Sequence, residues 1–406
     1  MSRSARSTIL GCIILAFCAG CGGGGSGVSG ASAPPPGLLA SCPSLPPPNS
    51  PAGSLGAVVD AAALSEMATE ELPGMTVSIA KNGSILYAQA YGYADLATCT
   101  PTQTDSVYRI ASVTKQFTAA AILQLQNAGS LSLDNPVSSY LPNYTFDPRI
   151  TIRMLLNQTT GLVDYTTLEQ PSWSNPPGTM DDVPEQTVLT AITQTPLLFV
   201  PGSQFAYSNS NYFVLGAVIE VVTSTSYADY MSAHIFQPAG LTHTSYLQPP
   251  TGIASPYFYT STTQDSGLTA GSLSDPTLPF SAGALWSTVL DLATWDAALR
   301  NGTLIPPALF TEMVAPPAFE TSLPVNEQYA MGWYPTTALG RTVVFHDGLI
   351  GGGYASINVL FPDDGFSISV LTNAETVAGS GTDVLQVFVG GLIQSICAAP
   401  ATAGNC

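Results

Sequence analysis

Strand-like runs stand near both ends of the chain with mainly helical signals between them, and this order constrains the fold more than any single motif. At the front, Met75, Val77 and Ile79 alternate with other residues up to Asn82-Gly83, the dipeptide that most favours a tight hairpin turn. Residues 75 to 93 therefore read as a β-hairpin. At the back, Thr342 to His346, Tyr354 to Phe361 and Phe366 to Thr372 read as three strands, followed by an apolar helix near 382 to 396. From 112 to about 335 the spacing is mainly helical, broken by Pro- and Gly-rich loops such as 166 to 184 and 247 to 280. The order implies an α/β (α+β) fold: one antiparallel sheet built from both termini with flanking helices, plus an inserted, mainly helical subdomain. No repeat with a period of 20 to 50 residues is evident.

Within that frame, Ser112 and Lys115 lie three residues apart at the mouth of a helix whose apolar positions Val113, Phe117, Ala121 and Leu125 run to a capping Gly129. Residues i and i+3 share a helix face, so an unprotonated lysine there can take the serine's proton. The same spacing recurs at Ser78 and Lys81, but on a strand residues three apart point to opposite faces. Tyr207-Ser208-Asn209 precedes a helical run through Phe213, Ala217 and Val221 that Asn209 or Ser210 caps. A tyrosine at such a junction is usually an anchored surface aromatic. In an active site its phenolate or hydroxyl would pass protons between Ser112 and a leaving group, with Asn209 fixing Lys115 and a substrate amide. His346-Asp347-Gly348 ends a strand and runs into Leu349 and a glycine triplet. That is either a plain hairpin turn or a place where a ligand meets the backbone, with the Leu349 N–H joining that of Ser112 as an oxyanion hole.

Lysine and tyrosine have ordinary pKa values near 10, so both need their surroundings to change them. Burial lowers a lysine, and a neighbouring ammonium lowers a tyrosine. Lys81 and Lys115 are the only lysines in the chain.

The 406 residues exceed the usual single-domain size, and 27 acidic against 9 basic residues give a net charge of −18. That balance argues against nucleic acid as a partner. Three histidines without H-x-x-x-H or H-E-x-x-H spacing give no metal site, no cofactor is called for, and G-x-S-x-G is absent. Residues 1 to 21 read as an export signal: Arg3 and Arg6 form its basic end and Ile9 to Ala19 its apolar core, too short for the roughly 20 residues of a bilayer span. Cys18-Ala19-Gly20-Cys21 resembles a bacterial lipobox, which makes Cys21 a candidate for lipidation and membrane attachment. The expected locations are the periplasm, the outer membrane through that lipid, or the medium. Residues 22 to 54, rich in Gly, Pro and Ser, read as a tether, and 55 to 406 as the functional domain. Cys42, Cys99, Cys397 and Cys406 suggest two disulfides, with three pairings open.

Taken together and in order, the three pieces resemble the serine β-lactamase-related family, which includes class C β-lactamases, D-Ala-D-Ala carboxypeptidases, D-aminopeptidases and family VIII esterases. The resemblance extends through Gly129 to Val137, Ile150 to Leu162, Val200-Pro201-Gly202-Ser203, Ala282 to Thr288 and Leu371-Thr372-Asn373, over roughly residues 56 to 396. It implies an α/β sandwich with a mainly helical second subdomain. It also implies that Ser112 is the nucleophile, Lys115 and Tyr207 the proton-handling pair, Asn209 a positioning group, and His346, Gly348 and Leu349 the third motif. Class C β-lactamases carry Lys-Thr-Gly where this chain has His346-Asp347-Gly348. The lysine and threonine that help hold a substrate carboxylate are thus missing. An Asp347 turned into the cleft would repel carboxylates; turned outward it would do nothing to substrate. The expected activity is acyl transfer from Ser112 on esters or amides first, D-amino-acid peptides second and β-lactams third. The alternative is a penicillin-recognising envelope protein with little turnover.

Overall fold

The structure, a computed structural model, describes residues 42–168, 183–247, 250–259, 268–271, 273, 276–317, 328–374 and 381–398. The export segment with Cys21, the tether up to residue 41, most of the loop from 166 to 184, and Cys406 lie outside these residues. The strands are β1 (Gly74–Lys81), β2 (Ser84–Asp95), β3 (Thr100–Pro101), β4 (Tyr108–Arg109), β5 (Tyr257–Tyr259), β6 (Leu268–Ala270), β7 (Trp286–Ser287), β8 (Tyr334–Ala338), β9 (Arg341–Ile350), β10 (Tyr354–Phe361) and β11 (Phe366–Thr372). The helices are α1 (Leu55–Thr69), α2 (Thr114–Asn127), α3 (Ile152–Leu156), α4 (Glu185–Gln194), α5 (Asn209–Thr223) and α6 (Tyr227–Met231). They continue with α7 (Gln237–Ala239), α8 (Phe280–Gly283), α9 (Val289–Arg300), α10 (Pro307–Val314) and α11 (Gly381–Ala398).

The main sheet runs β3-β2-β1-β11-β10-β9-β8. Its paired strands are antiparallel, and β1 joins β11 in register from Met75↔Thr372 to Lys81↔Phe366, so both ends of the chain build it. The hairpin turn is at Asn82-Gly83, whose φ values of 51° and 79° explain the dipeptide: only such residues take two left-handed positions in succession at little cost. Strand alternation then sorts the side chains. Met75, Val77, Ile79, Ile368 and Val370 pack with Val59 of α1 and Leu385, Val389 and Leu392 of α11. Leu360, Leu371 and Val344 face the other way, into the larger core shared with α2, α5 and α9. Each of these side chains contributes roughly 1.5–3 kcal/mol on leaving water. Ser78 lies on that second face, where its hydroxyl donates to Val289 O at 3.0 Å, well placed as a core residue and not as a nucleophile.

Several boundaries differ from the sequence reading. Strand β9 does not stop at His346; it continues to Ile350, paired with Tyr354 of β10, so His346-Asp347-Gly348 lies inside a strand and the turn comes at the glycine triplet. Strand β8, which begins at the end of the region read as mainly helical and is not among the strands read from the sequence, pairs with the front half of β9, from Tyr334↔Phe345 to Ala338↔Arg341. The loop from 247 to 280 contains the small β5–β6 ribbon. Ser208, with extended backbone (φ −147°), caps α5 by accepting from Ser210 N, and Asn209 is the first helical residue instead of the cap. Cys42 is disulfide-bonded to Cys99, in the turn after β2, and Cys397 is disulfide-bonded as well.

Candidate active site

Ser112 sits in the 3₁₀ turn Ala111–Val113, directly ahead of α2. Ala111 has φ 45°, a left-handed backbone at a residue with a Cβ, of the sort tight functional turns retain. The turn is held by Val113 N to Ile110 O at 3.1 Å and by Ile110 N to Leu285 O at 2.9 Å. Strand β9 comes up against it at Gly348. A Cβ there would stand 2.6 Å from Ile110 O and 2.9 Å from Ala111 Cβ, so the glycine is what lets the strand's Leu349 backbone approach the Ser112 turn.

One helical turn on, Lys115 is completely buried. Its Nζ lies 3.2 Å from Ser112 Oγ, 2.8 Å from Asn209 Oδ1 and 2.7 Å from the carbonyl oxygen of Ala282 in α8. The amine also stands over the Tyr207 ring, 4.9 Å from its centroid. Burial drops Lys115 to about 7, against the opposing pull of the Asp164 and Asp347 charges. The Tyr207 hydroxyl donates to Ser112 Oγ at 2.9 Å. Its pKa moves upward, well above the usual value: burial dominates, the Tyr334, Asp347 and Asp164 charges add to it, and the Ser112 hydrogen bond only partly offsets them. The expectation that a neighbouring ammonium would lower this tyrosine is therefore overturned, because desolvation disfavours the phenolate.

His346 is buried beside this group, its ring 6.0 Å from Tyr207 and 5.2 Å from Tyr334. Its Nδ1 lies 2.6 Å from Asp347 O, which can only accept, so Nδ1 carries the proton. Burial and the nearby Lys115 charge lower the ring to about 3, which leaves it neutral, and Nε2 accepts from the Tyr329 hydroxyl at 3.0 Å. The Asp347 carboxylate turns away from Ser112: Gln386 of α11 donates to its Oδ2 at 2.8 Å, on the far face of the sheet. Among the described residues no group of three or more His, Cys, Asp or Glu is placed to hold a metal ion.

The profile of the Beta-lactamase family matches residues 59–386. The chain belongs to this family. Protein flp of Staphylococcus aureus (strain MW2) is 31% identical over 319 residues, covering 74% of this chain and 60% of that protein, so the chain spans well under the full length of that relative. In structure the family member is similar to a D-stereospecific amidohydrolase from Streptomyces sp., with TM-score 0.69 and 26% identity over 83% of this chain and 98% of the other. It is also similar in fold to the D-amino acid amidase of Ochrobactrum anthropi SV3, with TM-score 0.72 and 22% identity over 84% and 98% of the two chains. The mixed architecture, a large antiparallel sheet with helices, is the one these neighbours have.

The tertiary structure thus brings Ser112, Lys115, Tyr207 and Asn209 into one hydrogen-bonded cluster, with His346 behind it and the Gly348–Leu349 backbone alongside. It adds groups that sequence reasoning missed. Ala282 contributes a carbonyl, which no side-chain pattern can signal. Asp164, Tyr329 and Tyr334 come from segments without a recognised motif. A search for polar residues directly after Gly161-Leu162 would have been the one available clue to Asp164.

Proposed function

We propose that the chain is a serine hydrolase that forms an acyl-enzyme on Ser112 and acts on uncharged esters or amides. The observation that carries this reading is the coordination of Lys115. A neutral amine has two N–H bonds and one lone pair. Asn209 Oδ1 and Ala282 O are obligate acceptors and take the two N–H bonds, which leaves the lone pair for the Ser112 hydroxyl. Lys115 then serves as base as Ser112 attacks a carbonyl, and the Tyr207 hydroxyl, held protonated by its burial, gives a proton toward the leaving group. The N–H groups of Ser112 and Leu349 would hold the oxyanion, a reading supported by the contact of Gly348 with Ile110–Ala111. Water then releases the acyl group by the reverse proton route.

The placement of positive charge supports uncharged substrates. Lys115 is enclosed by its three partners, and Arg109 is buried on Ala284 O beneath Trp286. Arg149, Arg153 and Arg341 pair with carboxylates outside the cleft, and Arg300 binds the carbonyls of Pro362 and Asp363. Lys81 ends β1, whereas Leu349 stands in the row of Ala355, Thr372 and Met75, six residues, or roughly 20 Å, along the strand. No described cation is thus available to receive a substrate carboxylate, which places peptides with a free C-terminus and β-lactams behind esters and amides. The similar D-stereospecific amidohydrolase of Streptomyces sp. acts on amides, which is the reason amides stay beside esters.

Export is part of the proposal, resting on Arg3, Arg6 and the apolar run to Ala19, and supported by the Cys42–Cys99 bond, which belongs to oxidising compartments. Attachment through Cys21 would be read by mass spectrometry of the mature N-terminus.

The test is hydrolysis of p-nitrophenyl butyrate by the chain beside its Ser112→Ala variant, with p-nitrophenyl hemisuccinate as the charged comparison. Turnover lost in the variant and at least about tenfold slower on the hemisuccinate is expected. Equal turnover in both proteins would remove Ser112 as nucleophile. A stable adduct with labelled penicillin, without ester turnover, would favour the binding-protein alternative.

A further inference from the structure

Asp164 stands two residues beyond Leu162, facing the start of α5. Its Oδ1 accepts from Thr166 N at 3.0 Å and from Thr166 Oγ1 at 2.9 Å, which caps the 3₁₀ turn Tyr165–Thr167. Its Oδ2 accepts from Asn209 Nδ2 at 2.9 Å. The neighbours on either side of Asp164 are stitched to α5 through one side chain. Ser210 Oγ donates to Val163 O at 2.6 Å and accepts from Tyr165 N at 2.9 Å. The carboxylate is therefore fixed along the chain before and after it and through its own first oxygen, and its second oxygen is aimed at Asn209.

A carboxylate only accepts, so only the NH2 end of Asn209 can face Asp164. That sends the amide oxygen to Lys115 Nζ, where it lies at 2.8 Å. With the amide reversed, an NH2 group would face the amine and Ala282 O would be the one acceptor left beside Ser112. Lys115 would then turn an N–H toward Ser112 Oγ in place of its lone pair. We propose that Asp164 is a positioning residue for acyl transfer: by orienting the Asn209 amide it keeps the Lys115 lone pair on the Ser112 hydroxyl. The proposal rests on the reading of Ser112 and Lys115 as nucleophile and base. Asp164 has a second, separable effect, because its negative charge favours the ammonium form of Lys115.

The chain contains only two lysines, Lys81 and Lys115, so a protein labelled with lysine bearing 13C at Cε gives two signals, one from the site and one as an internal control. The variants are Asp164→Asn and Asp164→Ser. Each keeps an oxygen for the Tyr165–Thr167 turn; the first puts a donor against Asn209 Nδ2, and the second is too short to reach it. Two quantities are read in each protein: the pH midpoint of each lysine signal, and kcat and KM for p-nitrophenyl butyrate. In both variants the Lys115 midpoint is expected to fall by roughly half a unit or more while Lys81 stays in place. Over the same variants kcat is expected to drop about tenfold or more with KM little changed. A purely electrostatic role would shift the Lys115 midpoint and leave kcat above the titration unchanged, and a purely structural role would move both lysine signals or neither; each result would overturn the proposal. If the wild-type protein does not turn over the ester, the acyl-transfer reading falls on that result and the positioning role falls with it; if it does, the variants' kcat by itself can overturn the positioning role.

Discussion

The Lys115 amine and the Ala282 carbonyl meet at 2.7 Å inside the protein, joining α2 to α8 and leaving the amine with no water around it. Burial of the whole amine sets its proton affinity more than any charged group does, because removal from water is the largest influence on Lys115.

A pH dependence follows directly. In the proposed mechanism the base works only without its proton, and burial places Lys115 at about 7, so kcat/KM for a neutral ester should be level above that pH and fall about tenfold per unit below it. A pH–rate profile from 5 to 9 checks this; a profile level down to pH 5 would rule out Lys115 as the base.

An ordinary histidine would titrate in almost the same range, so the limb needs an owner. His346 is lowered to about 3 and is already neutral throughout the profile. His346→Gln should leave the limb where it is, whatever it does to the rate, and a limb that vanished with the histidine would reassign the base.

Tyr207 keeps its proton because burial raises its pKa well above the ordinary value. Tyr207→Phe is expected to lower kcat by about 10²-fold with a much smaller change in KM, since the proposed role of the hydroxyl is on the leaving group and not in ground-state binding. Steady-state kinetics on an ester with a poor leaving group, where proton delivery matters most, are the measurement.

Asp296 offers a stability test away from the cleft. It is buried between α9 and the sheet, where Asn358 Nδ2 donates to its Oδ1 at 2.9 Å, and burial raises it to about 8. A raised carboxyl stabilises the fold fully below its unfolded pKa near 4, and that contribution is lost as pH climbs through about 8. Asp296→Asn should therefore be the more stable protein at pH 8, by about 3 °C or more in Tm, with the difference shrinking toward pH 5. Thermal melts at both pH values would show it, and a difference independent of pH would contradict it.

The Cys42–Cys99 bond closes a separation of 57 residues. Chain-entropy reasoning assigns such a crosslink ~4 kcal/mol, so the double variant Cys42→Ser, Cys99→Ser should melt well below the parent under oxidising conditions. Denaturant unfolding of the two proteins measures the difference.

What the sequence determined was whatever repeats along the chain or depends on neighbours a few residues apart. Asn82-Gly83 marked the hairpin, alternation marked β1, strand-like runs marked β10, β11 and the front of β9, and helical spacing from Val113 to Leu125 marked α2 and carried Ser112 and Lys115 on one face. The order of strands and helices was enough for a single antiparallel sheet drawn from both ends. Only the tertiary structure decided the rest, because it depends on contacts between distant segments. β9 runs on to Ile350 because β10 pairs with it there, a partner that no local pattern announces. Tyr207 stays a phenol because the aromatic side chains of Tyr329, Tyr334 and His346 pack around it and remove its water. Asp347, whose direction no motif reveals, faces Gln386 because alternate strand residues point to opposite faces and its neighbour His346 takes the inner one. The neutral amine itself is made by packing: a lysine becomes neutral near pH 7 only where α2, α5 and α8 close over it, and that enclosure belongs to the fold and not to the spacing of Ser112 and Lys115.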